Sequence, residues 1–291
     1  MKQVLLGSSD LKVGAIAYGC WRFANSSLQE ADTKIRTALE AGLTLIDTAD
    51  IYGLGDMRGF GGSEEVLGEV LKASPDLRDK MVIATKGGID AVRPYDSTYD
   101  YLMTAMDKSL ARLKTDYVDI YQIHRPDITT PMAETARALD EMVKTGKTKY
   151  IGVSNFTVAQ TRALQAHLGT KIITTQPEFS ALHQYPITDG TLDWCQENTA
   201  TALAWSPLAR GRVFSESGIV IDALDTLAKR YDAPRGHIAL AFTMGHGANV
   251  IPIIGTQKTE RIVDSAKALN IPLTARDFYD IVEAFRGEKM P

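Results

Sequence analysis

Short runs of β-branched and apolar residues recur along the chain. Each is followed by a longer stretch in which apolar positions return every three or four residues. The first pattern predicts strands and the second amphipathic helices. Strands are predicted at 13–19 (VGAIAYG), 43–47 (LTLID), 81–85 (MVIAT), 117–123 (YVDIYQI), 149–153 (KYIGV), 172–175 (IITT), 201–205 (TALAW) and 250–254 (VIPII). Between and after them, helices are predicted at 28–41, 63–72, 98–113, 131–145, 157–168, 190–198, 220–231, 235–245, 258–268 and 274–286. Capping chemistry supports several of these. Thr157 with Gln160 three residues on reads as a capping box. Ser63 precedes two acids in a first turn, where the helix dipole favours them. Gly42 stands where a helix C′ glycine would.

Strand and helix alternating through short links implies parallel pairing with right-handed crossovers. Eight such units in 291 residues predict an α/β fold of the (β/α)8 TIM-barrel type, one domain over 1–291. The competing architecture is an open doubly wound sheet. No GxGxxG follows the first strand, and the strands continue evenly to the end. The opening MKQVLLGSSDLKVG has a Gly/Ser turn between two short runs and predicts a β-hairpin at the barrel bottom. The 274–286 segment is then an extra C-terminal helix.

Composition adds limits. Hydrophobic residues make up 44% and charged residues 23%, with a net charge of −4. There is no basic footprint for nucleic acid and no apolar run long enough to span a membrane. Cys20 and Cys195 fit no metal or redox spacing, so no metal site is expected. With no signal peptide apparent, the expectation is a cytoplasmic protein with reduced thiols.

In a barrel of this kind chemistry gathers at the C-terminal strand ends. Reading them in order gives Gly19, Cys20 and Trp21, then Asp47 and Tyr52, then Lys86, then His124, then Ser154 and Asn155. Gln176 follows, then Trp205 and Ser206, and finally Gly255 and Thr256. A phenol is a poor acid at neutral pH unless a nearby ammonium favours its anion. A carboxylate would hold that ammonium in place, and a neutral imidazole would bind a substrate oxygen. Asp47, Tyr52, Lys86 and His124 therefore form a candidate proton-delivery set for a carbonyl or alkoxide. Each also has a plainer reading: a rim tyrosine, a structural ion pair, a packed histidine. Lys86 as a Schiff-base amine in a barrel lyase or isomerase is a competing chemistry.

The chain resembles the aldo-keto reductase family over essentially its whole length. The resemblance rests on LIDTADIYG (45–53), IATKGG (83–88), DIYQIHRPD (119–127), KYIGVSNF (149–156), TTQPEFS (174–180), LAWSPLARG (203–211) and IPIIGTQKTERI (251–262). HRPD and the closing PIIG look most like a bacterial subfamily of general oxidoreductases. The resemblance implies an NADP-dependent carbonyl reductase taking a small carbonyl substrate, commonly as a monomer. It makes Tyr52 the general acid, Lys86 the group that lowers its pKa, Asp47 the lysine's partner and His124 the orienter of the carbonyl. Around the cofactor it places Gly19, Cys20, Trp21 and Asp47. It sets Ser154, Asn155 and Gln176 at the nicotinamide carboxamide and Trp205 against the ring. Ser206, Leu208 and Arg210 lie at the pyrophosphate, and Gly255, Thr256, Lys258 and Arg261 at the adenosine 2′-phosphate. Where many members have a lysine after the last strand, this chain has Gly255, and Lys258 would replace the charge. NADPH is favoured over NADH on that basis. A non-catalytic NADPH-binding regulatory barrel, known among relatives, is the alternative outcome. The substrate side of the mouth is expected to hold Trp21, Phe23, Leu54, Phe60 and Arg125, with Phe285 and Arg286 from the tail.

Overall fold

The computed structural model describes residues 2–291, so that Met1, the first residue of the predicted hairpin segment, lies outside the described residues. Two short strands, β1 (Gln3–Leu5) and β2 (Lys12–Gly14), pair antiparallel. Eight parallel strands then close a barrel: β3 (Ala17–Gly19), β4 (Leu45–Asp47), β5 (Val82–Gly87), β6 (Val118–Ile123), β7 (Thr148–Ser154), β8 (Ile172–Gln176), β9 (Thr201–Ala204) and β10 (Val250–Ile254). They follow chain order around the ring, and β10 pairs with β3 to close it.

Helices cover the outside: α1 (Leu28–Glu40), α2 (Gly62–Ala73), α3 (Tyr99–Leu113), α4 (Met132–Lys144), α5 (Val158–Gln165), α6 (Thr191–Asn198), α7 (Arg212–Ser215), α8 (Ile219–Arg230), α9 (Arg235–Met244), α10 (Thr259–Ser265) and α11 (Ala275–Arg286). No helix among the described residues is long and apolar enough to cross a membrane.

The apolar core has two compartments. Outward-facing strand residues such as Ile46, Ile83, Ile151 and Ala202 pack on the helices. Inside the barrel, Leu45, Val82, Ala84, Ile120, Ile173, Leu203 and Ile251 fill the lower layers together with Leu6 and Val13 of the hairpin. The hairpin turn is held at that end: the Gly7 N–H donates to Thr201 Oγ1 at 2.7 Å, and Asn249 Nδ2 donates to the Leu5 carbonyl at 2.8 Å. With the bottom plugged by apolar residues, polar inward positions are left to the upper layers.

The predicted run 13–19 is two strands, not one. Val13 and Gly14 belong to the hairpin, and the barrel strand begins at Ala17. A continuous apolar run does not reveal the change of direction between them. Three strands run past their predicted ends, so Lys86, Ser154 and Gln176 are the last or next-to-last strand residues rather than the first loop residues.

The Thr157 capping box is present, and Ser27 and Thr274 form two more. Gly42 ends α1 at φ +85°, with Leu43 N–H bonded to Ala38 O and Gly42 N–H to Leu39 O, a Schellman ending. Ser63 does not cap α2. The cap is Gly61 at φ +86°, where the Arg112 side chain would lie 2.4 Å from any added Cβ. Ser63 lies inside the first turn. The predicted 258–268 helix stays α-helical only to Ser265 and tightens into a 3₁₀ turn over Ala266–Asn270.

Candidate active site

Parallel pairing brings the strand ends to one level. Gly19 stands opposite Asp47, Lys86 opposite Gln122, and Ser154 opposite Gln176. Lys86 is the centre of what this assembles. Its side chain is fully buried, and Nζ donates to Asp47 Oδ2 at 2.7 Å, to the Thr48 carbonyl at 2.8 Å and to Tyr52 Oη at 3.2 Å. All three ammonium hydrogens are used, which is what a buried cation requires. Burial pulls the Lys86 pKa down, but the Asp47 carboxylate and the Tyr52 phenol outweigh it, so the ammonium is held charged.

Tyr52 Oη accepts from Lys86, which leaves the phenol hydrogen free for another acceptor. The ring is half-buried and lies edge-on to His124, with centroids 5.7 Å apart. Burial pushes the Tyr52 pKa up and Lys86 pulls it down; the net direction is upward from the ordinary value. The lysine acts in the expected direction, but burial wins. His124 is placed by its N–H donating to the Gly87 carbonyl at 2.9 Å. Burial pushes its imidazole well below the ordinary value, and the charges of Lys86 and Arg125 reinforce this. It is neutral through the physiological range, and its Nδ1 is buried with no partner among the described residues.

A second set of bonds ties this cluster to the opposite wall. Gln176 Nε2 donates to Asp47 Oδ1 at 2.9 Å, and Ser154 Oγ donates to the Gln176 carbonyl at 2.9 Å. Asn155 adopts φ +59°. Its Nδ2 donates to the His124 carbonyl at 3.1 Å and to Ser154 Oγ at 2.9 Å. The Trp205 indole N–H donates to Asn155 Oδ1 at 3.0 Å, which fixes the ring plane while its face stays half-exposed. The Arg210 guanidinium lies 5.5 Å from that ring, in a segment where Ser206, Ala209 and Arg210 all have positive φ.

The remaining predicted residues are more dispersed. Gly19 and Cys20 are buried, the Cys20 N–H donating to the Asp47 carbonyl. Trp21 is 54% exposed, with Arg22 over its ring. Leu208 packs partly buried against the core. Thr256 accepts at its carbonyl from the Tyr18 hydroxyl at 3.0 Å, and its Oγ1 accepts from the Lys258 N–H. Gly255, Lys258 and Arg261 are exposed. Phe23, expected at the mouth, is fully buried beside Tyr18, because the 20–26 turn folds its ring inward. Thr48, not read from the sequence, enters through its backbone carbonyl, which carries no side-chain signal.

The donor set fits a dinucleotide. A held indole face lies next to amide groups, and Arg210, Lys258 and Arg261 enter no ion pair among the described residues. An added Cβ at Gly255 would meet only Gly19 O, at 3.9 Å, so the backbone there is open to close approach.

The fold and these residues define a barrel oxidoreductase, and the chain belongs to the aldo/keto reductase family, whose model matches residues 15–286. A 6-dehydroglucose reductase of Novosphingobium aromaticivorans is 46% identical over 98% of this chain and 96% of that protein. Among solved structures, a thermostable aldo-keto reductase in complex with the inhibitor epalrestat has a TM-score of 0.85 at 30% identity, covering 97% of this chain and 98% of that one. An aldo/keto reductase from Klebsiella pneumoniae in complex with NADP and acetate has a TM-score of 0.79 at 27% identity, covering 98% and 95%.

Proposed function

We propose that this protein reduces an aldehyde to an alcohol with NADPH, and that Tyr52 is the proton donor. The observation that carries this is the chain Asp47–Lys86–Tyr52, in which the phenol oxygen accepts from a buried ammonium and keeps its own hydrogen for the mouth. Bound NADPH supplies the hydride. As negative charge develops on the substrate oxygen, the Tyr52 hydroxyl passes its proton there, and the Lys86 ammonium stabilises the phenolate left behind. Neutral His124 orients the carbonyl by a hydrogen bond. Trp205, held by Asn155, would offer its ring face to the nicotinamide, and Gln176, bonded to Asp47, would help hold the carboxamide. Arg210, Lys258 and Arg261 are the groups for the phosphates.

The substrate class follows from the N. aromaticivorans relative, which is named for reducing 6-dehydroglucose. We take the substrate to be a sugar aldehyde of that kind, with the carbonyl on a terminal carbon beside a ring of hydroxyls. Imine chemistry at Lys86 is disfavoured, since a charged, triply bonded ammonium has no free electron pair.

The test is Tyr52→Phe assayed with NADPH against 6-dehydroglucose and a plain activated aldehyde. The variant should bind NADPH as the wild type does and lose about 10²-fold or more in kcat. Wild-type turnover retained in the variant would remove Tyr52 from the role. NADPH binding without turnover of any carbonyl by the wild type would instead indicate a regulatory barrel.

A further inference from the structure

Behind the barrel wall lies a second buried polar cluster that the chemistry above does not use. Asp50 is 1% exposed, and among the described residues neither of its carboxyl oxygens has a well-formed hydrogen-bond partner, the adjacent Ile51 N–H being the one backbone donor near it; nor does the Tyr121 hydroxyl. The cations whose charge reaches Asp50 are committed elsewhere. Arg112 is bound to Glu64 at 2.7 Å, and Lys86 to Asp47. Glu64 is further occupied by Thr85 Oγ1 at 2.5 Å. A bare carboxylate in such a place pays a desolvation cost that a bound proton removes.

Acid and phenol converge on one peptide. An added Cβ at Gly87 would lie 2.0 Å from Tyr121 Oη and 3.3 Å from Asp50 Oδ2. The Asp50 N–H donates to the Lys86 carbonyl at 3.0 Å, and the Gly87 carbonyl accepts from His124 at 2.9 Å. Asp50 therefore meets the end of β5 through both backbone and side chain, between the residue that holds Tyr52 and the residue that faces it.

We propose that Asp50 is a positioning residue held as the neutral carboxylic acid, which with Tyr121 fixes the Gly87 peptide between Lys86 and His124. Both groups pack against Gly87 closely enough that no side chain could stand there, the Tyr121 hydroxyl lying where a Cβ would be. The groups facing Asp50 are Glu64 of α2, Arg112 and Tyr101 of α3, Lys86 of β5 and Tyr121 of β6. Burial first, and then the Glu64 carboxylate, push its pKa well above the ordinary carboxyl value, against the weaker pull of Arg112, the Ile51 N–H and Lys86. The folded chain thus keeps a proton that the unfolded chain releases. Stability falls as pH rises from the ordinary carboxyl pKa, about 3.9, toward the raised folded value. The catalytic consequence rests on the reductase reading; the protonation does not.

The experiment compares wild type with Asp50→Asn, Asp50→Ala and Tyr121→Phe. Difference infrared spectra of the wild type at pH 7 should show the carbonyl stretch of a protonated carboxylic acid that is missing in Asp50→Asn. The melting temperature of Asp50→Asn should gain on wild type steadily as pH rises from 5 to about 9. Asp50→Asn should keep kcat within about threefold, while Asp50→Ala should lose about tenfold or more with NADPH affinity by fluorescence unchanged. Tyr121→Phe should lower kcat in the same direction and stands in if Asp50→Ala does not fold. Absence of the acid band together with a pH-independent melting difference would overturn the neutral acid. Wild-type kcat in both Asp50→Ala and Tyr121→Phe would overturn the positioning role. If the wild type reduces no carbonyl but shows the band, the reductase reading fails and the neutral acid stands.

Discussion

Lys86 spends all three of its hydrogens inside the protein, and Tyr52 spends none of its own. That asymmetry sets which way a proton can leave the pair. It also sets a pH profile. Carbonyl reduction needs the phenol protonated, so its rate falls as pH rises through the Tyr52 pKa, which burial holds above the ordinary value of 10.0 against the pull of Lys86. Alcohol oxidation needs the phenolate and rises over the same range. His124, held well below its ordinary 6.5, adds no acid limb near neutrality. We expect kcat/KM for reduction to be flat from about pH 6 to 9 and to fall only on the alkaline side. A drop centred near the usual imidazole range, about 6.5, would show that His124 is titrating and that its neutrality is misjudged.

At the scale of the element, the segment after β4 has to leave the strand, present a phenol to the mouth and reach the start of α2. Gly53 makes this turn at φ +109°, and an added Cβ would sit 2.5 Å from the Gly59 carbonyl. Gly55 in the same segment, at φ +91°, has nothing within 4 Å of an added Cβ. Both alanine substitutions pay for the dihedral, about 1–3 kcal/mol, but only Gly53→Ala must also move backbone. Thermal melts should therefore rank Gly53→Ala well below Gly55→Ala. Only the former should lose kcat in step, because Tyr52 is its neighbour. Equal melting temperatures would show that the segment has another way to turn.

Much at this scale is legible in the sequence. The 3.6-residue period and the Thr157 box locate helices, and glycine after a periodic stretch locates their ends. What is not legible depends on contacts distant in the chain. Gly61 rather than Ser63 starts α2, and Arg112, about fifty residues on, fills the space where a side chain at 61 would stand. Phe23 turns inward because Tyr18 is there to meet it. Asp50 reads as one more polar loop residue until Tyr121 and Gly87 close around it. The site residues at strand ends are easier to pick out, since closing the barrel brings strand ends together by construction. Their bonds, such as Gln176 to Asp47 across 129 positions, are not.

Over the whole molecule, charge is divided against its own sum. The chain carries a net −4, which repels a polyanionic dinucleotide at long range. Yet Arg210, Lys258 and Arg261, on the β9 and β10 side of the mouth, are exposed and enter no ion pair among the described residues. Exposed charges stay available to a ligand but are screened by salt within about 8 Å at physiological ionic strength. Two measurements follow. NADPH affinity, by fluorescence titration, should weaken as salt is raised, and more steeply than NADH affinity, because the extra phosphate makes charge-assisted contacts that NADH lacks. Lys258→Ala and Arg261→Ala should each weaken NADPH about tenfold, the value of one hydrogen bond to a charged group, while leaving NADH nearly unchanged. Each should also flatten the salt dependence, since a lost contact removes its share of the screened energy. If the two variants lower NADPH and NADH affinity equally, these cations do not read the 2′-phosphate, and the preference for NADPH must arise elsewhere on the rim.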